Sequence, residues 1–271
     1  AGTWHSLLLS EDGTVFAFGH NAVGRTGLGV VDGKTIIATP IDMSNLPGRK
    51  ISQISAGENH SLLLADDGTV FAFGLNGYGR TGLGLDSGVT SIATPIDATN
   101  LGGRRIVQIA AGSFHNLLLA EDGSVFSFGL DANGRTGLGT GGVTSTLIAT
   151  PIDATKLGGR KITQVAVGSN HSLLLADDGS VFSFGSNSSG ATAQGAGGQF
   201  TLVASSIDTT YITDKKIIQL AAGVDHSLFL AEDGTVFASG NNFQSQLGLG
   251  YTGGFIILAT PIDTSNLTGK T

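Results

Sequence analysis

His60-Ser-Leu-Leu-Leu-Ala65, Asp66-Asp-Gly-Thr69 and Val70-Phe-Ala-Phe-Gly74 follow one another without a break, and their order decides the fold. A short leucine run bounded by turn residues reads as a strand buried on both faces. Asp-Gly between two apolar runs is a strong hairpin signal, because glycine accepts the positive φ that a tight reversal needs. In the returning arm Phe71 and Phe73 alternate with Val70 and Ala72, which sends large rings to one face and small side chains to the other. Hairpins of this kind interlock when set side by side.

The same text recurs along the chain. His5, His60, His115, His171 and His226 lie at steps of 55, 55, 56 and 55 residues, each three positions after a glycine (Gly2, Gly57, Gly112, Gly168, Gly223). Nine of the fourteen phenylalanines occupy the two ring positions (Phe16, Phe18, Phe71, Phe73, Phe126, Phe128, Phe182, Phe184, Phe237). That assigns them to a core between repeats rather than to a cofactor. After the second hairpin comes Asn76-Gly-Tyr-Gly-Arg-Thr-Gly-Leu-Gly84, then an apolar segment ending in Ala93-Thr-Pro-Ile-Asp97, where proline fits an outer edge strand. Leu101-Gly-Gly-Arg-Arg105 then leads to Ile106-Val-Gln-Ile109. Four short strands repeated about every 55 residues, without helical periodicity, predict an all-β, five-bladed β-propeller. It is expected to be a single domain over 1–271, with hairpins starting near residues 1, 56, 111, 167 and 222. The Ile-x-Gln-Ile type of strand occurs only four times (Ile51 to Ile54, Ile106 to Ile109, Ile162 to Val165, Ile217 to Leu220), and Lys270-Thr271 stands where a fifth would begin.

Composition agrees and narrows the chemistry. Glycine is abundant at 43 of 271 residues and charged residues make up 13%, which suits many turns and little solvated helix. A net charge of -7 without a basic cluster gives no footprint for nucleic acid or anionic lipid. The absence of cysteine removes disulfides, thiolate metal sites and thiol nucleophiles. No apolar run has the length of a membrane-spanning helix.

Gly57-Glu-Asn-His-Ser61, Asp67-Gly68, Phe73-Gly74 and Gln246-Leu-Gly-Leu-Gly250 together resemble the repeats of the regulator of chromosome condensation family. The resemblance covers essentially the whole chain. Its fourth unit departs, with Ala191-Thr-Ala-Gln-Gly195 in the glycine loop and Ser206 where proline is expected. The family usually has seven blades, so five units either close a ring on their own or belong to a longer series; a closed ring of five is expected, since the terminal units each hold part of the repeat. The resemblance implies a protein-interaction module, since family members present one propeller face to another protein, as the nucleotide-exchange factor and a secreted β-lactamase inhibitor do. It does not carry exchange activity, which needs insertions this uniform chain lacks. Nor does it carry the ultraviolet photoreception of the plant member, which relies on clustered tryptophans where this chain has Trp4 alone.

Several constellations invite a chemical reading. His-Ser pairs suggest a base and nucleophile, but adjacent strand residues point to opposite faces and the pair recurs. A fold role is expected, with the histidine bonding a neighbouring backbone carbonyl. Paired carboxylates before glycine (Glu11-Asp12, Asp66-Asp67, Glu121-Asp122, Asp177-Asp178, Glu232-Asp233) read as solvated turns beside the basic pairs Arg49-Lys50, Arg104-Arg105, Arg160-Lys161 and Lys215-Lys216. A ring of histidines would hold its members too far apart for one metal ion. Of the Asn-x-Ser/Thr matches, Asn187 and Asn266 are expected in exposed loops.

The informative positions are those where the repeats disagree. Before each histidine stand Thr3-Trp4, Glu58-Asn59, Ser113-Phe114, Ser169-Asn170 and Val224-Asp225. These connections are expected at the same end of the blades as the loops holding Arg25, Tyr78, Arg80 and Arg135. Trp4, Arg25, Asn59, Tyr78, Arg80, Phe114, Arg135, Asn170 and Asp225 therefore form the predicted partner-binding face, with aromatics and arginine as anchors. No catalytic, cofactor or metal site is predicted. The leading expectation is a non-enzymatic scaffold for a protein partner. The alternatives are a carbohydrate-binding or adhesive surface protein and a propeller-face lyase or hydrolase, and the Gly, Ser, Thr and Asp content favours an extracellular or cell-surface setting.

Overall fold

A computed structural model describes residues 1–195 and 199–265. They form two compact units, one of Ala1–Ala132 with Thr140–Ile152 and one of Asn133–Gly139 with Asp153–Thr271. The first unit holds β1 (His5–Leu9), β2 (Val15–His20) and β3 (Lys34–Pro40), then β4 (Ile51–Ala56), β5 (His60–Ala65), β6 (Val70–Leu75) and β7 (Val89–Pro95), then β8 (Ile106–Ala111), β9 (His115–Ala120), β10 (Val125–Leu130) and β11 (Ser145–Pro151). The second holds β12 (Ile162–Val167), β13 (His171–Ala176), β14 (Val181–Ser186) and β15 (Phe200–Ser206), then β16 (Ile217–Ala222), β17 (His226–Ala231), β18 (Val236–Asn241) and β19 (Phe255–Pro261).

These strands make the five antiparallel sheets of a five-bladed β-propeller of repeats. Each of the last four blades runs in simple sequence order, and the Ile-x-Gln-Ile strand that closes one sequence repeat opens the next blade. The first blade has three strands, β1-β2-β3, because no such strand precedes it among the described residues. The predicted fifth copy at Lys270-Thr271 lies outside the described residues. In four of the five sheets the edge strand ends in proline, where the missing N–H costs no ladder bond, and in the fourth blade Ser206 takes that place.

The hairpin register places His60 opposite Gly74 and Leu64 opposite Val70. Between them Ala65 to Thr69 makes a turn closed by Gly68 N–H to Ala65 O (3.0 Å) and Ala65 N–H to Thr69 O (2.9 Å), with Gly68 at φ 89°. The rings and hollows interlock as the alternation predicts. Val15 and Ala17 of the first blade share a core with Phe71 and Phe73 of the second. Val70 and Ala72 of the second share one with Phe126 and Phe128 of the third. Full burial of one such ring contributes about 1.5–3 kcal/mol relative to leaving it in water.

Inner strands of neighbouring blades are joined by side chains. Gln53 Oε1 accepts from Ile109 N–H (2.8 Å) and Ser55 Oγ from Ala111 N–H (2.9 Å). In the second unit Gln164 spans both backbone groups of Leu220. A glutamine amide here satisfies strand-edge groups that no fifth strand reaches.

Candidate functional site

The connection before each histidine and the glycine-rich loop meet at one end of every blade, as their strands require. In the first unit Trp4 and Tyr78 stand out, 57% and 46% exposed, whereas Asn59 and Phe114 are half-buried. Asn170 and Asp225 of the second unit are also half-buried. The arginines correct the expectation: Arg25, Arg80 and Arg135 are only 5%, 3% and 5% exposed. They lie beneath the loop surface rather than on it.

Arg80 shows how the loop draws its arginine in. Its Nε donates to Gly77 O (2.8 Å), Tyr78 turns at φ 64°, and the guanidinium carbon sits 5.1 Å from the centre of the Phe114 ring and 5.8 Å from that of Tyr78. The charge is thus held between two aromatic faces. Burial lowers the pKa of Arg25 and of Arg80, and the Glu58 carboxylate opposes this at both. Glu58 in turn accepts from Asn59 Nδ2 (3.1 Å). Glu58 was legible only as one of the variable residues before a histidine, because its arginines come from other segments of the sequence.

The histidines are structural, by a longer route than the predicted carbonyl bond. His60 Nε2 donates to Asn116 Oδ1 (2.6 Å), and Asn116 Nδ2 donates to Arg80 O (2.8 Å). His5 donates to Ser61 Oγ (2.7 Å), which donates to Arg25 O (3.1 Å). In the second unit His171 and Ser227 repeat this at 2.9 Å, with Ser227 bonding Ala191 O. Each relay therefore ties two blades and a glycine-rich loop together. Because the last acceptor is a backbone carbonyl, alanine at position 191 serves as well as arginine. The preceding glycine makes room for the ring: a Cβ on Gly57 would lie 2.4 Å from Gly112 O and 2.6 Å from His60 Cε1. Burial pushes His5 down to about 3 and His60 and His171 to about 4.

The opposite end is made of repeated charge pairs. Arg49–Asp67, Arg104–Asp122, Arg160–Asp178 and Lys215–Asp233 are ion pairs of 2.6–2.8 Å. Each second carboxylate also caps its own turn, as Asp67 does by accepting Thr69 N–H (2.9 Å). That backbone bond is the main cause holding Asp67 down to about 2. Open clefts of about 320 and 360 Å³ lie there, lined by Asp67, Arg104 and Arg105 in the first unit and by Asp178, Lys215 and Lys216 in the second.

Other aromatic residues complete the loop end. Phe243 and Phe255 of the second unit are 54% and 50% exposed and meet edge to face at 5.2 Å. Their signal was present in the sequence, as phenylalanines outside the two ring positions. Asn187, expected in an exposed loop, is 7% exposed and spends its amide on Gly195 O, so it is no glycan acceptor in the folded chain. Asn266 lies outside the described residues.

Comparison with known proteins identifies the repeat. Models of the regulator of chromosome condensation (RCC1) repeat match residues 12–64, 67–119 and 122–175, and in a second form 51–80, 106–135, 162–191 and 217–246. The human protein described as probable E3 ubiquitin-protein ligase HERC6 is 32% identical over 251 residues, 92% of this chain but 24% of that protein. The chain therefore spans about a quarter of that relative. Among solved structures, human WBSCR16 matches all of this chain and 68% of its own with a TM-score of 0.85 at 27% identity. Prp20p from Saccharomyces cerevisiae, described with its binding to Gsp1p and histones, matches 98% of this chain and 76% of its own at TM-score 0.62 and 20% identity. That last likeness is one of fold.

Proposed function

Since the chain belongs to the regulator of chromosome condensation repeat family, we propose that it is a non-enzymatic binding module that presents its loop end to a protein partner. The contrast between the two ends of the blades carries this reading. At the turn end an ion pair recurs in blade after blade, as a solubilising surface would. At the loop end the framework is kept beneath while the exposed residues differ from repeat to repeat, with Trp4, Tyr78, Phe243 and Phe255 standing in water. A single asymmetric partner needs such differences, and exposed aromatics over a fixed base are the usual anchors of interfaces. Asn59 in the first unit and Asn170 and Asp225 in the second add polar groups at the same end of their own blades, and the buried arginines stiffen the loops from below. The binding to Gsp1p and histones described for Prp20p agrees with a protein as the class of partner.

The reading is tested on a partner captured from the cell of origin, with affinity measured by calorimetry. Trp4→Ala and Tyr78→Ala should each weaken binding by about 1 kcal/mol or more, and Asp67→Asn should leave it unchanged. Normal binding by the two aromatic variants, with loss on changing the turn end, would overturn the assignment.

A further inference from the structure

The loops of the first unit bury a charge that the fold does not need. Each histidine relay ends on a backbone carbonyl, supplied by Arg25 and Arg80 in the first unit and by Ala191 in the second. In the fifth loop Gln246 stands at the same place. A guanidinium is therefore dispensable to the loop, and its burial is unfavourable unless the charge is paired and its donors are used.

At Arg25 and Arg80 that compensation is incomplete. The two residues are 5% and 3% exposed. Arg80 spends Nε on Gly77 O, but its Nη1 is enclosed without an acceptor, and so is Nε of Arg25. Among the described residues Glu58 is the one carboxylate that acts on both. It makes an ion pair with neither, since the ion pairs of the described residues all lie at the turn end, and its Oε1 accepts from Asn59 instead. Two guanidinium charges thus share one carboxylate that is bonded elsewhere.

The surroundings select what can complete the group. Phe114 and Tyr78 lie 5.1 and 5.8 Å from the guanidinium carbon of Arg80, so an incoming group meets its nitrogens in the guanidinium plane. That is the direction in which a carboxylate bonds arginine with both oxygens. One positive charge is left to balance, which matches a carboxylate better than a phosphate dianion beside Glu58.

We propose that Arg25 and Arg80 together hold a carboxylate side chain of the protein partner, an aspartate or glutamate on an acidic segment. This rests on the loop end as the binding surface and names the chemistry it reads. Tyr78, 46% exposed, is the wall that gives way as the carboxylate enters, and Glu58 repels it and so limits its affinity.

Fluorescence anisotropy with capped, labelled peptides of alternating glutamate and glycine, glutamine and glycine, or phosphoserine and glycine tests this. The glutamate peptide should bind best, against the chain's net charge of -7. Arg25→Gln and Arg80→Gln, which give these loops the residue the fifth loop already has, should each weaken it roughly tenfold, with folding checked by thermal melts. Glu58→Gln should tighten it by about threefold, an effect that a merely structural role would not produce, and Lys50→Gln at the turn end should leave it unchanged. Glutamate and glutamine peptides that bind alike, tighter binding of the phosphoserine peptide, affinity that survives both arginine changes, or weaker binding by Glu58→Gln would each overturn the inference. A captured partner that still depends on Trp4 and Tyr78 would then leave the binding module standing and remove only the carboxylate.

Discussion

At His60 the Nε2 proton is committed to Asn116 and Nδ1 faces the space kept open by Gly57, so a second proton has no partner to receive it. His5 is placed alike, and burial is the chief cause that holds these two and His171 below the ordinary value of 6.5, to about 4 for His60 and His171 and about 3 for His5. Between pH 6.5 and these values the unfolded chain binds more protons than the folded one. Stability must therefore fall as pH is lowered through that window, by up to about 1.4 kcal/mol per pH unit for each histidine. Urea denaturation at pH 7.5, 6 and 5 should show this decline, and His60→Gln should remove about one proton from its slope. Stability that holds or rises on acidification to pH 5 would mean that the folded chain protonates these rings. The repetition of the histidine told that it served the fold, but not its partner. Asn116 lies 56 residues from His60 and 36 from Arg80, so the relay closes only once neighbouring blades are in register.

Among the elements, the fourth loop and the fifth blade depart from the pattern together. Gly27, Gly82 and Gly137 lack a side chain because a Cβ would lie 2.9 to 3.0 Å from the rings of Phe73, Phe128 and Phe184. The fourth loop has Ala193 at this place, at φ 53°, and β18 has Ser239 where the ring would stand. A methyl has room only because the ring is gone, and Ala193 now shares a core with Phe229 and Phe237. Ser239→Phe alone should cost about 1–3 kcal/mol through overpacking. Ala193→Gly together with Ser239→Phe should recover part of that loss beyond the sum of the single changes. Thermal melts of the two single variants and the double variant measure the coupling, and strict additivity would refute the pairing. Strand order, hairpin turns and the ring core were legible because each rests on spacing within one repeat. The burial of Arg25, Arg80 and Arg135 was not, since loop sequence carries no sign that a left-handed turn at Tyr78 folds the arginine back under Phe114.

At the scale of the whole molecule, a repeat protein is held by contacts between neighbours, and stability follows how many neighbours each repeat has. β5 and β13 are buried along their full length, whereas β1 and β17 are partly open. Hydrogen exchange at high dilution should therefore find amides of β1 and β17 exchanging roughly tenfold or more faster than those of β5 and β13; equal protection would show that the open faces cost nothing. The disagreement among repeats that marked the loop end in the sequence also marks it in the structure, but which of its side chains reach water had to be seen. One of them has a practical use. Trp4 is the only tryptophan in the chain, 57% exposed, with its ring 6.5 Å from that of His20. Its indole faces solvent in the folded chain, so its emission changes little when the blades come apart and shifts to the blue when something covers the loop end. The protein carries a built-in optical label that reads occupancy of one face while staying nearly silent about folding.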